Sequence, residues 1–206
     1  MKPCIGLTKG RLEEQFLQYI QSFSFDIEPL VNKGRKLSVE TEQFKFIFAK
    51  GVDVATYVEY GIADIGIVGE DILLEYSPDV FDLLPLSFGQ CRFALAGKPD
   101  HAVKGSKKMI ATKYPNVTMN YFRAKGESVD IVKLEGSVEL APVLGLADAI
   151  VDIVETGTTL KENGLVILDD IQTISARIIA NRSSLKVNRE QIKPLIELFQ
   201  KKEVFQ

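Results

Sequence analysis

The chain has 206 residues, 25 of them basic and 28 acidic, for a net charge of −3, and 46% of it is hydrophobic. That apolar share is ample for a buried core and excludes intrinsic disorder, while the length suits one large domain or two small ones. The balanced charge argues against a general nucleic-acid binder. Two cysteines (Cys4 and Cys91) and a single histidine (His101) exclude a disulfide scaffold and a cysteine-rich zinc site, and they argue against a histidine triad. Any chemistry must rest on Lys, Arg, Asp, Glu, hydroxyls and backbone amides.

In chain order, PCIGL at 3–7 is a short apolar run suited to a buried strand. Thr8 is placed to cap a helix that starts near Gly10 and carries Leu12, Phe16, Tyr19, Ile20 and Phe23 at helical spacing. Residues 36 to 48 alternate imperfectly and predict a hairpin turning at Thr41 to Gln43. DVATYVEYG reads as a helix ending at Gly61, ADIGIVG as a buried strand and EDILLEY as a further helix; DLLPLSF and CRFALAGK are apolar runs. The middle repeats the alternation. KKMIATKY is a strand with a helix through NVTMNYFRAKG, SVDIVKLEGS a strand with a helix in VELAPVLGL, and ADAIVDIVE a strand with a helix in TGTTLKENG. LVILDDIQTISARIIANR is long and β-rich, a segment suited to cross between domains. A last helix from about Asn188 puts Ile192, Leu195, Ile196 and Phe199 on one face, with Pro194 beginning or kinking it. Alternating strands and helices predict an α/β fold with largely parallel sheets. The expected division is a discontinuous lobe of residues 1–90 plus 171–206, and a second lobe of residues 91–170, with a cleft between them as a favoured ligand site.

The N-terminal apolar run is too short for a signal peptide, and no stretch approaches the roughly 20 apolar residues that cross a bilayer. A cytoplasmic protein with reduced cysteines and no membrane partner is therefore expected. His101, in a polar loop, is expected in solvent without a role, and Cys4 and Cys91 in apolar strands as packing residues.

The segment DAIVDIVETGTTLKENG carries the sharpest chemical signal. A buried strand runs into Glu155, Thr156, Gly157, Thr158 and Thr159 before a helix, a place where free amides and the helix dipole attract phosphate. Gly157 allows close backbone approach, and Asp152 and Glu155 stand where carboxylates accept hydrogen bonds from ribose hydroxyls. The local chemistry suits a phosphorylated sugar; the plainer alternative is an ordinary helix cap made by Thr156 or Thr158. A second signal is LTKGRL, where Lys9 and Arg11 flank Gly10 at a helix start. A basic pair there opposes the dipole unless an anion is near; otherwise both side chains simply reach into water. Arg35, Lys36 and Lys50 add positive charge in the same half, suited to a pyrophosphate if gathered on one wall.

Taken together, LTKGRL, DVATYVEYGIADIGIVGEDIL, FGQCRFALAG, IATKYPN, LEGSVELAPVLGLADAIVDIVETGTTLKENGL and SARIIANR, in this order, closely resemble the ATP phosphoribosyltransferase family over nearly the whole chain. The resemblance implies a two-lobed fold like that of type II periplasmic binding proteins, with a cleft between the lobes. It implies transfer of phosphoribosyl from phosphoribosyl pyrophosphate (PRPP) to N1 of ATP, with Mg²⁺ carried on the phosphates rather than in a protein cage. It also implies the family's short form, which works with a regulatory subunit similar to histidyl-tRNA synthetase in a hetero-octamer.

Position by position, Thr156, Gly157, Thr158 and Thr159 match the loop that holds the PRPP 5′-phosphate, with Asp152 and Glu155 near the ribose. Lys9, Gly10, Arg11 and Lys50 match the pyrophosphate and ATP side, Lys9 and Arg11 as the catalytic pair, and Arg35 matches a basic position of the same kind. Tyr114 and Glu139 match positions near the cleft. The chain departs from many relatives at Thr8, where they have Pro, and at Lys50-Gly51, where they have Arg-Pro; the second keeps the charge but loses a bidentate fork. The competing readings are a small-molecule-binding module of the same fold without enzymatic activity, and a degenerate, regulatory phosphoribosyltransferase.

Overall fold

A computed structural model describes residues 2–21, 23, 25–99 and 108–204; His101 lies outside the described residues. In chain order the elements are β1 (Cys4–Thr8), α1 (Arg11–Ile20), α2 (Glu28–Val31), β2 (Ser38–Glu40), β3 (Lys45–Ala49), α3 (Gly51–Glu59), β4 (Ile65–Gly69), α4 (Glu70–Tyr76) and β5 (Phe81–Pro85). They continue with β6 (Cys91–Gly97), β7 (Lys108–Thr112), α5 (Pro115–Ala124), β8 (Val129–Lys133), α6 (Leu140–Leu144), β9 (Ala149–Val154) and α7 (Thr158–Glu162). The chain closes with β10 (Val166–Ile174), β11 (Ala176–Ala180), α8 (Ser184–Val187) and α9 (Arg189–Val204). It divides into two compact units: Met1–Leu73, Ser77–Gly89 and Ser175–Gln206 form one, and Leu74–Tyr76 with Gln90–Ile174 form the other.

The first unit holds a six-stranded sheet in the order β2-β3-β1-β4-β11-β5. β1 runs parallel to β3 and β4, and its first four residues are buried, as a central strand covered on both faces requires. The hairpin forms where expected: β2 and β3 are antiparallel, and the Thr41 N–H donates to the Phe44 carbonyl at 2.9 Å. Phe16, Tyr19 and Ile20 of α1 and Ile192, Leu195 and Phe199 of α9 are buried with Leu7 and Phe48 in one core, the Phe16 and Phe199 rings meeting edge to face at 6.2 Å.

The second unit holds a five-stranded sheet, β10-β6-β9-β7-β8, in which β7 is parallel to β8 and β9 while β6 and β10 are antiparallel. Phe93, Ile110, Tyr114 and Phe122 pack in one of its apolar clusters, and Ala94, Ile150, Val154 and Leu160 in another. Glu75, only 5% exposed, accepts hydrogen bonds from the N–H groups of Asn116 (3.0 Å) and Val117 (3.1 Å), which satisfies amides that the start of α5 leaves without helical partners. On the far side of α5, Tyr121 donates to Asp169 at 2.6 Å and Lys125 donates to both of them. These hydrogen bonds, Lys125 first, hold the Asp169 carboxyl below its ordinary range, and Asp169 first, then Tyr121, raises the Lys125 ammonium.

Several expectations are corrected. The sheets are mixed rather than largely parallel, because the hairpin and the returning strands β10 and β11 pair antiparallel. The β-rich segment does cross between the units as expected: it breaks at Ser175, with β10 in one sheet and β11 in the other. Thr8 does not cap α1; it ends β1 and its hydroxyl donates to the Ile67 carbonyl at 2.8 Å, while Gly10 holds the N-cap. Helix α1 stops at Ile20, so Phe23 joins the core from the chain beyond it. Of the two places expected for Pro194, the start of the last helix or its interior, the structure has the interior of α9. The four-residue helices α2 and α8 were not expected, since one turn shows no periodicity.

Candidate active site

In the second unit, the candidate phosphate loop follows β9. Its β-strand ends at Val154, Gly157 takes the left-handed conformation (φ 78°, ψ 5°), and α7 begins at Thr158. Only glycine adopts that backbone freely. The first helical bond of α7 is donated by Lys161 N–H to the Gly157 carbonyl at 3.1 Å, so the amides of Thr158, Thr159 and Leu160 precede it. No side chain caps the helix; the Thr156 hydroxyl sits 3.0 Å from the Thr158 hydroxyl and 3.4 Å from the Thr158 nitrogen, so the plain cap is not made with good geometry. Helix α7 is five residues long, so its dipole is small and the attraction for an anion must come from the amides and hydroxyls themselves.

These residues surround one cavity of about 220 Å³, lined by Glu139, Asp152, Glu155, Thr156, Gly157, Thr158 and Thr159 with the apolar Ile153, Val154 and Leu160 behind them. Glu139 comes from the loop after β8 and holds the N-cap of α6, next to Ser137, which itself takes a positive φ of 46°. A lining that combines carboxylates with hydroxyls and amides offers partners for both the hydroxyls and the phosphate of a sugar phosphate. Tyr114 follows the parallel neighbour β7, yet its side chain is 5% exposed and meets Phe93 edge to face at 4.9 Å. Core packing accounts for it, and it does not line the cavity.

In the first unit, the basic candidates gather at one edge of the sheet. Residues 9–11 follow β1 and Lys50 follows β3; the strands are parallel neighbours with Thr8 opposite Ala49, and Lys9 N–H donates to the Ala49 carbonyl at 2.9 Å. Gly10, at φ 87° and ψ −138°, makes the turn into α1. Arg35 arrives from the other direction. It precedes β2, which runs antiparallel with Ser38 opposite Ile47, and Phe48 N–H donates to the Leu37 carbonyl at 2.9 Å. Lys9, Gly10, Arg11, Arg35 and Lys50 are thus brought to the same edge, and all five are exposed. Lys50 is the N-cap of α3 and Gly51 its first residue, a position that accepts the Pro many relatives carry.

Two residues that the sequence did not single out join this edge. Lys33 pairs with Glu13 at 3.0 Å and lies over the Phe48 ring. A lysine in a loop and a glutamate in a first helical turn carry no sequence signal of their own; only the fold brings them together.

A family model described as HisG, ATP phosphoribosyltransferase, matches residues 50–201. Proteins named ATP phosphoribosyltransferase from Bacillus cereus (strain AH187) and Bacillus anthracis (strain A0248) are 51% identical over 199 residues, covering 95% of this chain and 94% of theirs. Among solved structures, a chain of the ATP phosphoribosyl transferase (HisG:HisZ) complex from Thermotoga maritima aligns with a TM-score of 0.82 and 38% identity, covering 97% of each chain. The periplasmic aliphatic sulphonate binding protein SsuA from Escherichia coli aligns at 0.64 with 15% identity over 97% of this chain and 72% of its own, a likeness of fold alone.

Proposed function

The chain belongs to the ATP phosphoribosyltransferase family, and from that premise we propose which of its residues hold the two substrates. Its fold is that of type II periplasmic binding proteins, and its reaction joins the phosphoribosyl group of PRPP to N1 of ATP with release of pyrophosphate, the first step of histidine biosynthesis. In our reading Thr156, Gly157, Thr158 and Thr159 hold the 5′-phosphate, and Asp152 and Glu155 accept hydrogen bonds from the ribose hydroxyls, with Glu139 lining the same cavity. Lys9, Arg11, Arg35 and Lys50, with the Gly10 turn, hold pyrophosphate and the ATP phosphates. The observation that carries the reading is the cavity lined together by Glu139, Asp152, Glu155 and the three threonines around the left-handed Gly157 turn.

The reaction is a displacement at the anomeric carbon. The bond from that carbon to the pyrophosphate oxygen breaks, the bond to adenine N1 forms, and positive charge builds on the sugar between them. N1 already carries a lone pair, so the protein is not required to remove a proton from the nucleophile. Its residues work by placement: the threonine loop fixes the ribose end, and Lys9 and Arg11 neutralise the charge that accumulates on the leaving group. Asp152 and Glu155, close to the ribose, stabilise the charge developing on the sugar. Mg²⁺ belongs to the substrates in this reading and, when bound, offsets the charge of their phosphates. The oxygen donors beside the loop suit such a hard ion arriving with its own phosphate ligands.

We also propose a regulatory partner similar to histidyl-tRNA synthetase, in a hetero-octamer. The support is that the Thermotoga maritima neighbour, a chain of a HisG:HisZ complex, is matched over 97% of both chains. A cytoplasmic location is proposed on the biosynthetic role; among the described residues no helix is long and apolar enough to cross a membrane. The test mixes the purified chain with ATP, PRPP and Mg²⁺, with and without the candidate partner, and follows the ultraviolet change of N1-substituted adenine. Product formation that depends on PRPP is expected. A folded protein that gives no signal in either mixture would sink the assignment of residues and partner alike.

A further inference from the structure

We propose that Lys33 is a positioning residue for the basic edge of the first unit, fixing the segments that carry Arg11, Arg35 and Lys50 relative to one another. The proposal rests on the reading that this edge holds pyrophosphate. Lys33 Nζ stands 3.0 Å from Glu13 Oε1, with the two side chains only 16% and 13% exposed. The same ammonium lies 4.7 Å from the centre of the Phe48 ring. Each contact falls two residues from a basic candidate. Glu13 follows Arg11 by two in α1, Phe48 precedes Lys50 by two at the end of β3, and Lys33 precedes Arg35 by two. The link from Lys33 to Arg35 is short and tight, since Lys36 N–H donates back to the Lys33 carbonyl at 3.1 Å around Gly34, whose φ is 58°.

The pair differs from the exposed ion pairs elsewhere in the chain. Lys193 and Glu197, 58% and 50% exposed, stand in water, where such contacts contribute little. Lys33 and Glu13 are shielded from solvent and from screening salt, so removing one partner leaves the other charge uncompensated. The arrangement answers a physical need. Several cations held near one another repel, and without a ligand they drift apart; an anion site works best when they are fixed beforehand. Because Lys33 is already neutralised by Glu13, it adds stiffness to the edge rather than further positive charge.

The discriminating variant is Glu13→Gln, because the two explanations predict opposite signs. If Glu13 acted only through its field, removing a carboxylate near an anion site would tighten pyrophosphate binding. If it anchors Lys33, removal weakens binding. Calorimetric titration of the purified chain with inorganic pyrophosphate should show Glu13→Gln and Lys33→Met each weaker by about tenfold. The double variant should be no worse than either alone, as two members of one contact require, and Lys33→Arg should recover most of the affinity. Chemical unfolding of each variant confirms that it is folded; if Lys33→Met does not fold, Glu13→Gln and Lys33→Arg decide. Pyrophosphate binding unchanged or tighter in Glu13→Gln, alongside a clear loss in an Arg35→Ala control, overturns the positioning role and leaves the site reading intact. No loss in Arg35→Ala overturns both.

Discussion

The backbone at Gly157 offers the sharpest test of the phosphate loop. Its φ of 78° lies where an L-residue costs roughly 1–2 kcal/mol, with a β-branched side chain at the upper end. Neighbouring atoms add little: a Cβ built at Gly157 would meet only Val154 Cγ1, at an ordinary 3.8 Å. The penalty of Gly157→Val is therefore one of backbone conformation, and the chain has two responses. It can keep the loop and lose that stability, a fall in Tm of about 2–4 °C per kcal/mol for a protein of this size. Or it can relax the turn, regain the energy and aim the Thr158 and Thr159 amides away from the cavity. In the second case PRPP must restore the turn on binding, which raises its KM by a factor of about 5–30. Asn tolerates the left-handed region, so Gly157→Asn should stay within a few-fold of the parent chain. Steady-state rates from the adenine absorbance change, with PRPP and ATP varied separately, read the result. A raised KM for PRPP with that for ATP unchanged is expected. A folded Gly157→Val protein with unaltered PRPP kinetics would remove this loop from phosphate recognition, and an equal loss for both substrates would point to general disruption.

Other consequences are testable with the same protein. Lys9→Ala or Arg11→Ala should weaken pyrophosphate inhibition by about 10- to 100-fold, as expected for losing a charged hydrogen bond; both residues are exposed, so thermal unfolding should barely move. A variant that instead unfolds while activity per folded molecule survives would mark these residues as structural. The Tyr121–Lys125–Asp169 cluster predicts a pH dependence of stability. Asp169 is held below its ordinary pKa by Lys125 and Tyr121, so its contribution is present above the unfolded carboxylate value and is lost as pH falls through the lowered one; Lys125, raised, keeps its contribution until strongly alkaline pH. The stability gap between the parent chain and Asp169→Asn, measured by urea unfolding, should narrow between about pH 7 and pH 3. A gap that is constant over that range would show that the cluster's hydrogen bonds do not depend on the Asp169 charge.

How much of this was legible beforehand depended on whether a feature was local. Residues 4–8 and 65–69 are buried strands because their runs carry no charge, 149–154 is one with Asp152 as its single charged residue, and the helices at 11–20 and 189–204 show their core faces by spacing alone. The Gly157 turn was readable because strand, glycine and helix are adjacent in sequence. Pairing direction was not. Nothing in ARIIA says that it lies antiparallel to IGIVG, since that follows from where the chain returns after β10. Likewise the family resemblance matched Tyr114 to a position near the cleft, while its side chain is buried against Phe93, a choice made by core packing. The Lys33–Glu13 pair joins residues twenty apart, one in the first turn of α1 and one in the loop after α2, and no motif encodes it.

The mixed sheets bear on the chemistry more closely than their deviation from a largely parallel pattern suggests. Each unit keeps a block of three adjacent strands that run the same way, β3-β1-β4 in one and β9-β7-β8 in the other. Antiparallel strands are added only outside these blocks. Nearly every candidate residue follows the end of a strand in such a block: residues 9–11 after β1, Lys50 after β3, Glu139 after β8, and 155–159 after β9, with Asp152 two residues before the end of β9 itself. Ligands of open α/β sheets bind at this edge, where loops leave the strands and helices begin. Arg35 is the informative exception. It precedes its strand instead of following it, and it reaches the same edge only because β2 runs opposite to β3. An antiparallel hairpin thus carries a guanidinium fork to the lysines at the ends of the parallel strands. A reaction that proceeds by holding phosphates and a ribose in line asks for this kind of convergence.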